Sequence, residues 1–333
     1  MGQNNYSPLI FPPCCYIMEK MNFFKKVIGM NKPVKLYPAF QDYLWGGTNL
    51  KATYPNCDKN PIAEAWVLSC HPAGGSVEVE SQIPLADLVA NNPQWVGTRG
   101  KAFPFFPILI KLIDAEQSLS VQVHPDDAYA MEKEKGFGKT EMWYVLDCKE
   151  GAKLYYGFQK EITKEEFQTR IENNTLTDVL QAVEVHKGDV FFIPAGTIHA
   201  IGEGMLIAEI QQNSNTTYRV YDYGRVGADG KPRDLHIGKA LEVTQLKPAP
   251  KIQTQHPDVL ADCEYFKVTR HTQAYTGVCD ETSFRSLLVV NGKGTLTYNG
   301  GEMDLDLYDC LFLPANMGEY SVSGDLEILD ICV

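Results

Sequence analysis

From Val34 onward, the chain is a succession of short apolar runs rich in Val, Ile, Leu, Phe and Tyr, and Gly, Pro, Asn and Asp interrupt these runs. Apolar runs of about four to eight residues between turn-forming residues are typical of β-strands. The pattern therefore predicts a mainly β fold for this part of the chain.

Two polar segments have a helical pattern instead. They are residues 126–134 (DDAYAMEKE) and residues 163–170 (TKEEFQTR). In the second segment, Glu166 follows Thr163 by three residues, which is the spacing of a capping box at a helix N-terminus. A few short helices are therefore expected within the β scaffold.

A weak internal repeat indicates how the strands are organised. Residues 188–199 (GDVFFIPAGTIH) align without a gap on residues 308–319 (YDCLFLPANMGE). The identical pairs are Asp189/Asp309, Phe192/Phe312, Pro194/Pro314 and Ala195/Ala315. In double-sheet barrels of the cupin type, such a unit is a strand, a Pro-led turn and an inward-pointing ligand. Two copies predict a cupin-like (jelly-roll) double barrel, with Glu319 where the first copy has His199.

Composition restricts the classes of partner. The formal net charge of −12 disfavours nucleic-acid binding, because nucleic-acid binders usually carry a basic face. No run approaches the roughly 18 apolar residues that span a bilayer. The nine cysteines are scattered and form no C-x-x-C pair, which is typical of reduced thiols. We expect a cytoplasmic protein with no nucleic-acid or membrane partner, and the oligomeric state is left open.

Three segments carry candidate metal ligands. In SLSVQVHPDD, strand alternation places Gln122 and His124 on one face, and in KTEMWYVL it does the same for Lys139 and Glu141. The segment FFIPAGTIHAI adds His199 after an apolar strand and a turn. Such a set of nitrogen and oxygen donors suits Zn²⁺ best and leaves Mn²⁺ or Fe²⁺ open. Three or four protein ligands would leave a coordination position free, as in catalytic metal sites.

These observations predict three regions. Residues 31–246 are expected to form a metal-binding catalytic barrel with helical excursions, and residues 257–333 a smaller metal-free barrel. The segment KPAPKIQTQHP between them has the composition of a linker. Residues 1–30 lack the pattern of a signal peptide and are expected to be a poorly ordered extension, in which Met30 is an alternative translation start.

Taken together, the segments resemble the type I mannose-6-phosphate isomerases (phosphomannose isomerases) in their short bacterial form. The resemblance covers most of the chain after Met30. The matching segments are FPILIKLIDAEQSLSVQVHPDD, GKTEMWYVL and FFIPAGTIHAIGEGMLIAEIQQNSNTTYRVYDYGR, with looser matches in LYPAFQDYLWGG and PIAEAWVLS. The resemblance implies a zinc-dependent aldose-ketose isomerase that interconverts mannose 6-phosphate and fructose 6-phosphate and holds one Zn²⁺ per chain.

The resemblance also implies roles for particular residues. The zinc ligands of the family fall on Gln122, His124, Glu141 and His199, and its active-site arginine falls on Arg219. Longer relatives have Lys-Pro-Glu where this chain has Lys139-Thr140-Glu141, and they insert a large helical domain that this chain is too short to hold. Contacts that this domain makes elsewhere therefore do not carry over.

The implied reaction needs a base at carbon, charge stabilisation near the two reacting oxygens, and an anchor for the phosphate. Glu209 interrupts the apolar strand MLIAEI, where burial would raise the pKa of its carboxyl group towards the range of a general base. An ion pair of Glu209 with Arg219 or a lysine is the alternative. Lys111 and Lys139 are candidates for stabilising the enediolate.

Three residues are candidate substrate contacts. The planar guanidinium of Arg219 can bind phosphate or carbonyl oxygen in a bidentate manner. Lys111 is an alternative phosphate anchor, and Ser120 is a candidate contact to the sugar or its phosphate. Trp45-Gly46-Gly47 and Glu64-Ala65-Trp66 match the family too, but they are predicted to be strand, turn and core.

Two other functions compete with isomerisation. Cupin-like barrels also serve as metal oxygenases, and a barrel of this kind could be a non-catalytic sugar-phosphate sensor. Oxygenases of this type use histidines and a carboxylate around Fe²⁺ and need no pair of lysines. Lys111, Lys139 and Arg219 near the predicted metal therefore favour an anionic sugar as the substrate.

Overall fold

The computed structural model describes residues 31–226, 230–250 and 256–333. The N-terminal extension and part of the linker expected from the sequence lie outside the described residues. The strands are β1 (Val34–Tyr37), β2 (Ala39–Gln41), β3 (Glu64–Leu68), β4 (Val77–Glu78), β5 (Ile108–Ala115), β6 (Val121–Val123), β7 (Glu141–Cys148), β8 (Lys153–Phe158), β9 (Leu180–Glu184), β10 (Val190–Ile193), β11 (His199–Ala200), β12 (Met205–Gln212), β13 (Tyr218–Tyr221), β14 (Val259–Asp262), β15 (Lys267–His271), β16 (Tyr275–Cys279), β17 (Arg285–Tyr298), β18 (Gly301–Leu305), β19 (Cys310–Leu313) and β20 (Gly318–Cys332).

Short helices connect the strands. They are α1 (Leu50–Thr53), α2 (Leu85–Asn91), α3 (Gly97–Gly100), α4 (Asp127–Lys133), α5 (Lys164–Glu172) and α6 (Ile237–Val243), with 3₁₀ turns at Pro93–Val96 and Leu176–Val179. Both helices predicted from the sequence are present. The side chain of Asp126 accepts a hydrogen bond from the Tyr129 amide at the start of α4, and Thr163 accepts one from the Glu166 amide at the start of α5. These caps satisfy amides that have no partner within the helix.

The strands form three antiparallel sheets. The nine-stranded sheet has the order β14-β15-β20-β17-β19-β1-β4, with β16 beside β20 and β18 beside β17. The six-stranded sheet has the order β10-β7-β12-β5-β3-β2, and the five-stranded sheet has the order β13-β6-β11-β8-β9.

The six-stranded sheet is the central layer, and both of its faces are buried. All eight residues of β5 are buried. Ile110 and Leu112 point into a core that also contains Leu288 of the nine-stranded sheet, whereas Ile113 belongs to a second core on the opposite face. Strands covered on both faces are apolar along their whole length. A charged residue in such a strand, such as Lys111, must therefore face a polar pocket.

The internal repeat corresponds to a repeated strand–turn–strand unit. In each copy, the carbonyl of the turn proline accepts a hydrogen bond from the amide three residues later, at 3.1 Å for Thr197 and 3.2 Å for Met317. The residue two positions after the proline has a positive φ in both copies, 85° at Gly196 and 63° at Asn316. The mainly β, cupin-like double-barrel fold predicted from the sequence is confirmed.

The two predicted barrels share a sheet. Strand β1, from the range 31–246, pairs with β19, so that Val34 lies opposite Phe312. The division at 31–246 and 257–333 stays a prediction, and the nine-stranded sheet crosses it. Glu319, the counterpart of His199 in the repeat, is exposed.

Two further features concern the described part of the chain. No helix there is long and apolar enough to cross a bilayer. All seven of its cysteines are free. Cys14 and Cys15 lie outside the described residues.

Candidate metal centre and active site

The five-stranded sheet supplies one wall of the candidate site. Gln122 lies in β6 and is paired on one side with His199 of β11 and on the other with Arg219 of β13. Its neighbours Val121 and Val123 are fully buried in the core behind the sheet. Strand alternation thus places three polar side chains side by side on the face opposite that core.

The six-stranded sheet supplies the facing wall. Glu209 of β12 is paired with Lys111 of β5 on one side and with Trp143 of β7 on the other. Glu141 is the first residue of β7 and Glu64 the first of β3. The site therefore lies between the two sheets, with its charged groups on the inner face of the central layer.

Three donor groups converge at one point. The ligand atoms of His124, Glu141 and His199 lie within 4.8 Å of one another, and all three residues are buried. His199 Nε2 is 3.3 Å from Glu141 Oε1, and His124 Nε2 is 3.6 Å from Glu141 Oε2. The amide of Gln122 is 3.4 Å from His199 Nε2. The four residues predicted as metal ligands are thus brought together.

Both imidazoles are held in one tautomer. Nδ1 of His124 lies 2.9 Å from the carbonyl of Thr216, and Nδ1 of His199 lies 2.9 Å from the carbonyl of Thr197. A carbonyl can only accept, so each Nδ1 carries the proton and each Nε2 presents a lone pair to the centre. This arrangement is the usual support of histidines that bind metals.

The electrostatics of the centre also fit a cation. Both oxygens of the Glu141 carboxylate are buried without a hydrogen bond, although Lys139 Nζ lies 2.5 Å from Oε2. Burial, and then the nearby Glu209, raises the pKa of Glu141 to about 7. Burial lowers the pKa of His199 to about 4 and holds that of His124 well below its usual value. A buried carboxylate beside two neutral imidazoles is a suitable donor set for a divalent metal.

Glu209 sits between two buried lysines. Its Oε1 is 3.3 Å from Lys111 Nζ and 3.5 Å from Lys139 Nζ, and its Oε2 accepts a hydrogen bond of 3.0 Å from Trp143 Nε1. The expectation that its pKa is raised is wrong. Burial does act in that direction, but the two ammonium groups outweigh burial and lower the pKa of Glu209. Its carboxylate stays ionised.

A cavity of about 250 Å³ opens beside these groups. Lys111, Lys139 and Glu209 line its buried side, and Tyr43 and Arg233 line its more exposed side.

Two predicted substrate contacts also line the cavity and bind each other. Ser120 is buried and accepts a hydrogen bond of 3.2 Å from Arg219 Nε. Nη1 of Arg219 donates to the carbonyl of Asp234 at 3.1 Å. Both residues thus have fixed positions in the cavity wall.

Several lining residues were missed or assigned to the core by sequence reasoning. Glu64 and Trp45 line the cavity, and Glu64 lies 3.6 Å from Lys111. Alternation within β3 places Glu64 on the inner face, but the pairing of β3 with β5 is not readable from the sequence. Tyr43 and Arg233 lie outside regular strands. Tyr43 belongs to the loosely matching segment LYPAFQDYLWGG but was assigned no role, and no motif pointed to Arg233.

Comparisons with known proteins cover nearly the whole chain. The family model described as "Phosphomannose isomerase type I, catalytic domain" matches residues 34–153, and the one described as "Mannose-6-phosphate isomerase, cupin domain" matches residues 258–333. The probable mannose-6-phosphate isomerase GmuF of Bacillus subtilis is 38% identical over 90% of this chain and 99% of its own. The mannose-6-phosphate isomerase ManA of the same organism is 36% identical over 90% and 98%.

Solved structures share the architecture. The crystal structure of the mannose 6-phosphate isomerase from Bacillus subtilis has a TM-score of 0.81 and 32% identity, and covers 90% of this chain and 99% of that one. A mannose 6-phosphate isomerase solved with zinc and yttrium bound has a TM-score of 0.70 at 16% identity, over 90% and 98% of the two chains. The second likeness concerns the fold alone.

Proposed function

The chain belongs to the type I phosphomannose isomerases, and we propose that it interconverts mannose 6-phosphate and fructose 6-phosphate in the cavity between its five- and six-stranded sheets. One observation carries this proposal. The Glu209 carboxylate, two buried lysines and two arginines line one cavity, and Gln122, which lies 3.4 Å from His199 Nε2, joins the cavity wall to the cluster of metal donors. Isomerisation through an enediolate needs a base at carbon and fixed positive charge near the reacting oxygens, and this cavity contains candidates for both.

The isomerisation moves two protons and leaves the atom count unchanged. A proton leaves C2 of the aldose and arrives at C1, and a second proton passes between O2 and O1, through a cis-enediolate. Glu209 is the proposed base, because its ionised carboxylate lines the cavity and can accept the carbon-bound proton and return it. Its lowered pKa makes it a weaker base than the sequence suggested.

Lys111 and Lys139 are the proposed stabilisers of the enediolate. Both ammonium groups line the cavity and are buried, at 4% and 3% exposure. Fixed positive charge in a water-poor site lowers the energy of an anionic intermediate more than the same charge does in water. Lys139 also contacts Glu141, one of the metal donors, and therefore lies between the metal donors and the cavity that it lines.

Gln122, His124, Glu141 and His199 would hold the metal. We propose zinc, one ion per chain, because two imidazoles, one carboxylate and one amide oxygen form a donor set that Zn²⁺ accepts. When bound, the ion would supply a Lewis acid that polarises a sugar oxygen.

Arg219 and Ser120 are the proposed substrate contacts of the opposite wall. They are joined by a hydrogen bond, so the guanidinium is oriented before substrate arrives. Lys111 was the alternative phosphate anchor, but it lies on the buried side of the cavity, 3.3 Å from the proposed base Glu209. Lys111 is therefore better suited to the reacting oxygens than to a dianion.

Turnover of mannose 6-phosphate by the purified protein tests the function. The formation of fructose 6-phosphate is followed before chelation, after chelation and after Zn²⁺ is restored, and Mg²⁺ addition serves as the control. Activity that chelation removes and Zn²⁺ restores is the expected result. A metal-loaded protein without turnover would refute the isomerase and favour the oxygenase or the sensor. Turnover that survives complete chelation would refute the metal requirement.

A further inference from the structure

A short buried segment without regular secondary structure leads into strand β7. It consists of residues 137–140, which come shortly after helix α4 and are all buried. The segment carries Lys139, and Glu141 follows it directly. A buried backbone outside helices and sheets has no ladder of hydrogen bonds, so its polar groups need partners from elsewhere in the protein. The position of Lys139 therefore depends on the groups that supply these partners.

Three different parts of the fold bind the amides of this segment. The amide of Gly138 donates to Oδ1 of Asp127, the first residue of α4, at 2.7 Å. The amide of Lys139 donates at 3.0 Å to a main-chain carbonyl just after β6. The amide of Thr140 donates to Gln212 Oε1 at 2.8 Å. Losing one of these acceptors would leave a buried donor unsatisfied.

Gln212 connects this segment to the strand that carries the proposed base. It is the last residue of β12, three positions after Glu209, and is 2% exposed. Its main-chain amide donates to the carbonyl of Thr140 at 3.1 Å, and its side-chain Nε2 donates to Asp127 Oδ1 at 2.9 Å. The side chain of Gln212 thus accepts from the segment and donates to the carboxylate that also binds the segment.

The ammonium group of Lys139 lies among three functional groups. Its Nζ is 2.5 Å from Glu141 Oε2, 3.2 Å from His124 Nε2 and 3.5 Å from Glu209 Oε1. A fixed charge stabilises an anionic intermediate best when it is already in place where negative charge develops. A misplacement of about 1 Å can lower the rate by roughly 10²-fold. The hydrogen bonds that fix the backbone of Lys139 therefore matter for its role.

We propose that Gln212 is a positioning residue, which together with Asp127 holds residues 137–140 so that Lys139 stays between the metal donors and Glu209. The proposal rests on the function proposed above. Gln212 is not among the described residues that line the cavity, so it is assigned no contact with the substrate. Its effect on catalysis should therefore pass through Lys139.

A double-mutant cycle tests this route. Gln212→Met keeps the length of the side chain and removes both of its hydrogen-bonding groups. At saturating Zn²⁺, it should lower kcat for mannose 6-phosphate by roughly 10- to 100-fold and change KM less than about threefold. In the Lys139→Met background, the same change should lower kcat by less than about threefold, because the group that Gln212 positions is gone. An equal loss of kcat in both backgrounds would overturn the proposal.

Ser283→Ala is the control for a loss of stability alone. Ser283 is 7% exposed and accepts a hydrogen bond of 3.1 Å from the Val333 amide, but it precedes β17 of the nine-stranded sheet. This change should lower the free energy of unfolding in urea and keep kcat within about twofold of wild type. A fall of kcat equal to that of Gln212→Met would show that turnover follows stability, and it would overturn the proposal.

Asp127 offers a second pair of variants, which disturb the core less because this residue is only half-buried. Asp127→Ala removes the acceptor that Gly138 and Gln212 share, so it should lower kcat by roughly 3- to 10-fold. Asp127→Asn keeps an acceptor oxygen and should stay within about twofold of wild type. The same kcat in both variants would contradict the positioning role, even if Gln212→Met fails to fold.

Hydrogen–deuterium exchange keeps the test independent of turnover. The loss of a partner by a buried amide corresponds to a roughly 5- to 150-fold change in an equilibrium constant. Peptides that cover residues 137–140 should exchange at least about fivefold faster in Gln212→Met, and at the wild-type rate in Ser283→Ala. If wild type does not isomerise, the proposed function fails, and exchange alone decides about Gln212. Unchanged exchange of residues 137–140 would then overturn its role, and a selective acceleration would support it.

Discussion

Glu209→Gln is the most informative single change, because it removes charge while keeping shape. The carboxylate lies 3.3 Å from Lys111 and 3.5 Å from Lys139 and accepts the indole N–H of Trp143. An amide oxygen can still accept from the indole. The substitution therefore isolates the contribution of the negative charge to catalysis and to stability.

Both effects can be given a size. Removing one partner of a buried ion pair costs about 3–5 kcal/mol when the other charge is left alone. Here Lys111 keeps Glu64 at 3.6 Å and Lys139 keeps Glu141 at 2.5 Å. We therefore expect the free energy of unfolding to fall by about 2–3 kcal/mol. Loss of a general base lowers kcat by roughly 10²- to 10⁴-fold.

The assay measures kcat for mannose 6-phosphate, bound metal by mass spectrometry and the free energy of unfolding in urea. Asp330→Asn is the matched control. Asp330 is also 3% exposed, is paired with Arg285 at 3.0 Å and accepts a hydrogen bond from Tyr320, but it lies in the nine-stranded sheet. We expect it to lose comparable stability and keep full activity. Near-normal turnover of metal-loaded Glu209→Gln would refute Glu209 as the base, and an equal loss of activity in the control would show that turnover merely follows stability.

Three other outcomes follow from the structure. His199→Ala should release the metal and lower kcat by at least about 10²-fold. Mass spectrometry measures the bound metal, and the turnover assay measures kcat. Retention of a full metal equivalent would contradict the assigned ligand set. In metal-free protein, the raised pKa of Glu141 favours the folded chain as pH falls, but the lowered pKa values of two groups, His124 and His199, act in the opposite direction. The unfolded chain therefore binds more protons between about pH 6.5 and 4, and stability should fall across this range. A flat urea midpoint there would contradict this. Thr163→Ala removes the cap of α5, so it should lower the free energy of unfolding by about 1 kcal/mol and leave turnover unchanged. An unaltered free energy of unfolding would show that packing alone holds this helix.

What the sequence could predict was mostly local. Alternation identified Gln122 and His124 as neighbours on one face, and the repeat located His199 at the end of a strand–turn unit. The sign of the pKa shift of Glu209 could not be predicted, because it depends on two lysines that only the pairing of three strands brings near it. Arg233 lies in a connecting segment without periodicity, and its place beside the cavity depends on Asp222, which is eleven residues earlier in the chain.

The pairing of β1 with β19 was also beyond sequence reasoning. A four-residue apolar strand carries no signal for its partner, and Val34 joins a strand that follows it by nearly the whole length of the chain. Long-range pairing of this kind depends on the surface that β19 leaves available rather than on any motif in β1.

The central position of the six-stranded sheet has a consequence for how the protein loses activity. Strands β5 and β12 carry Lys111 and Glu209, and they are among the most deeply buried parts of the described chain. Their backbone amides should exchange with solvent deuterium only through global opening, whereas peripheral strands exchange through local fluctuations. Heat should therefore abolish turnover no later than the temperature at which these amides become labile.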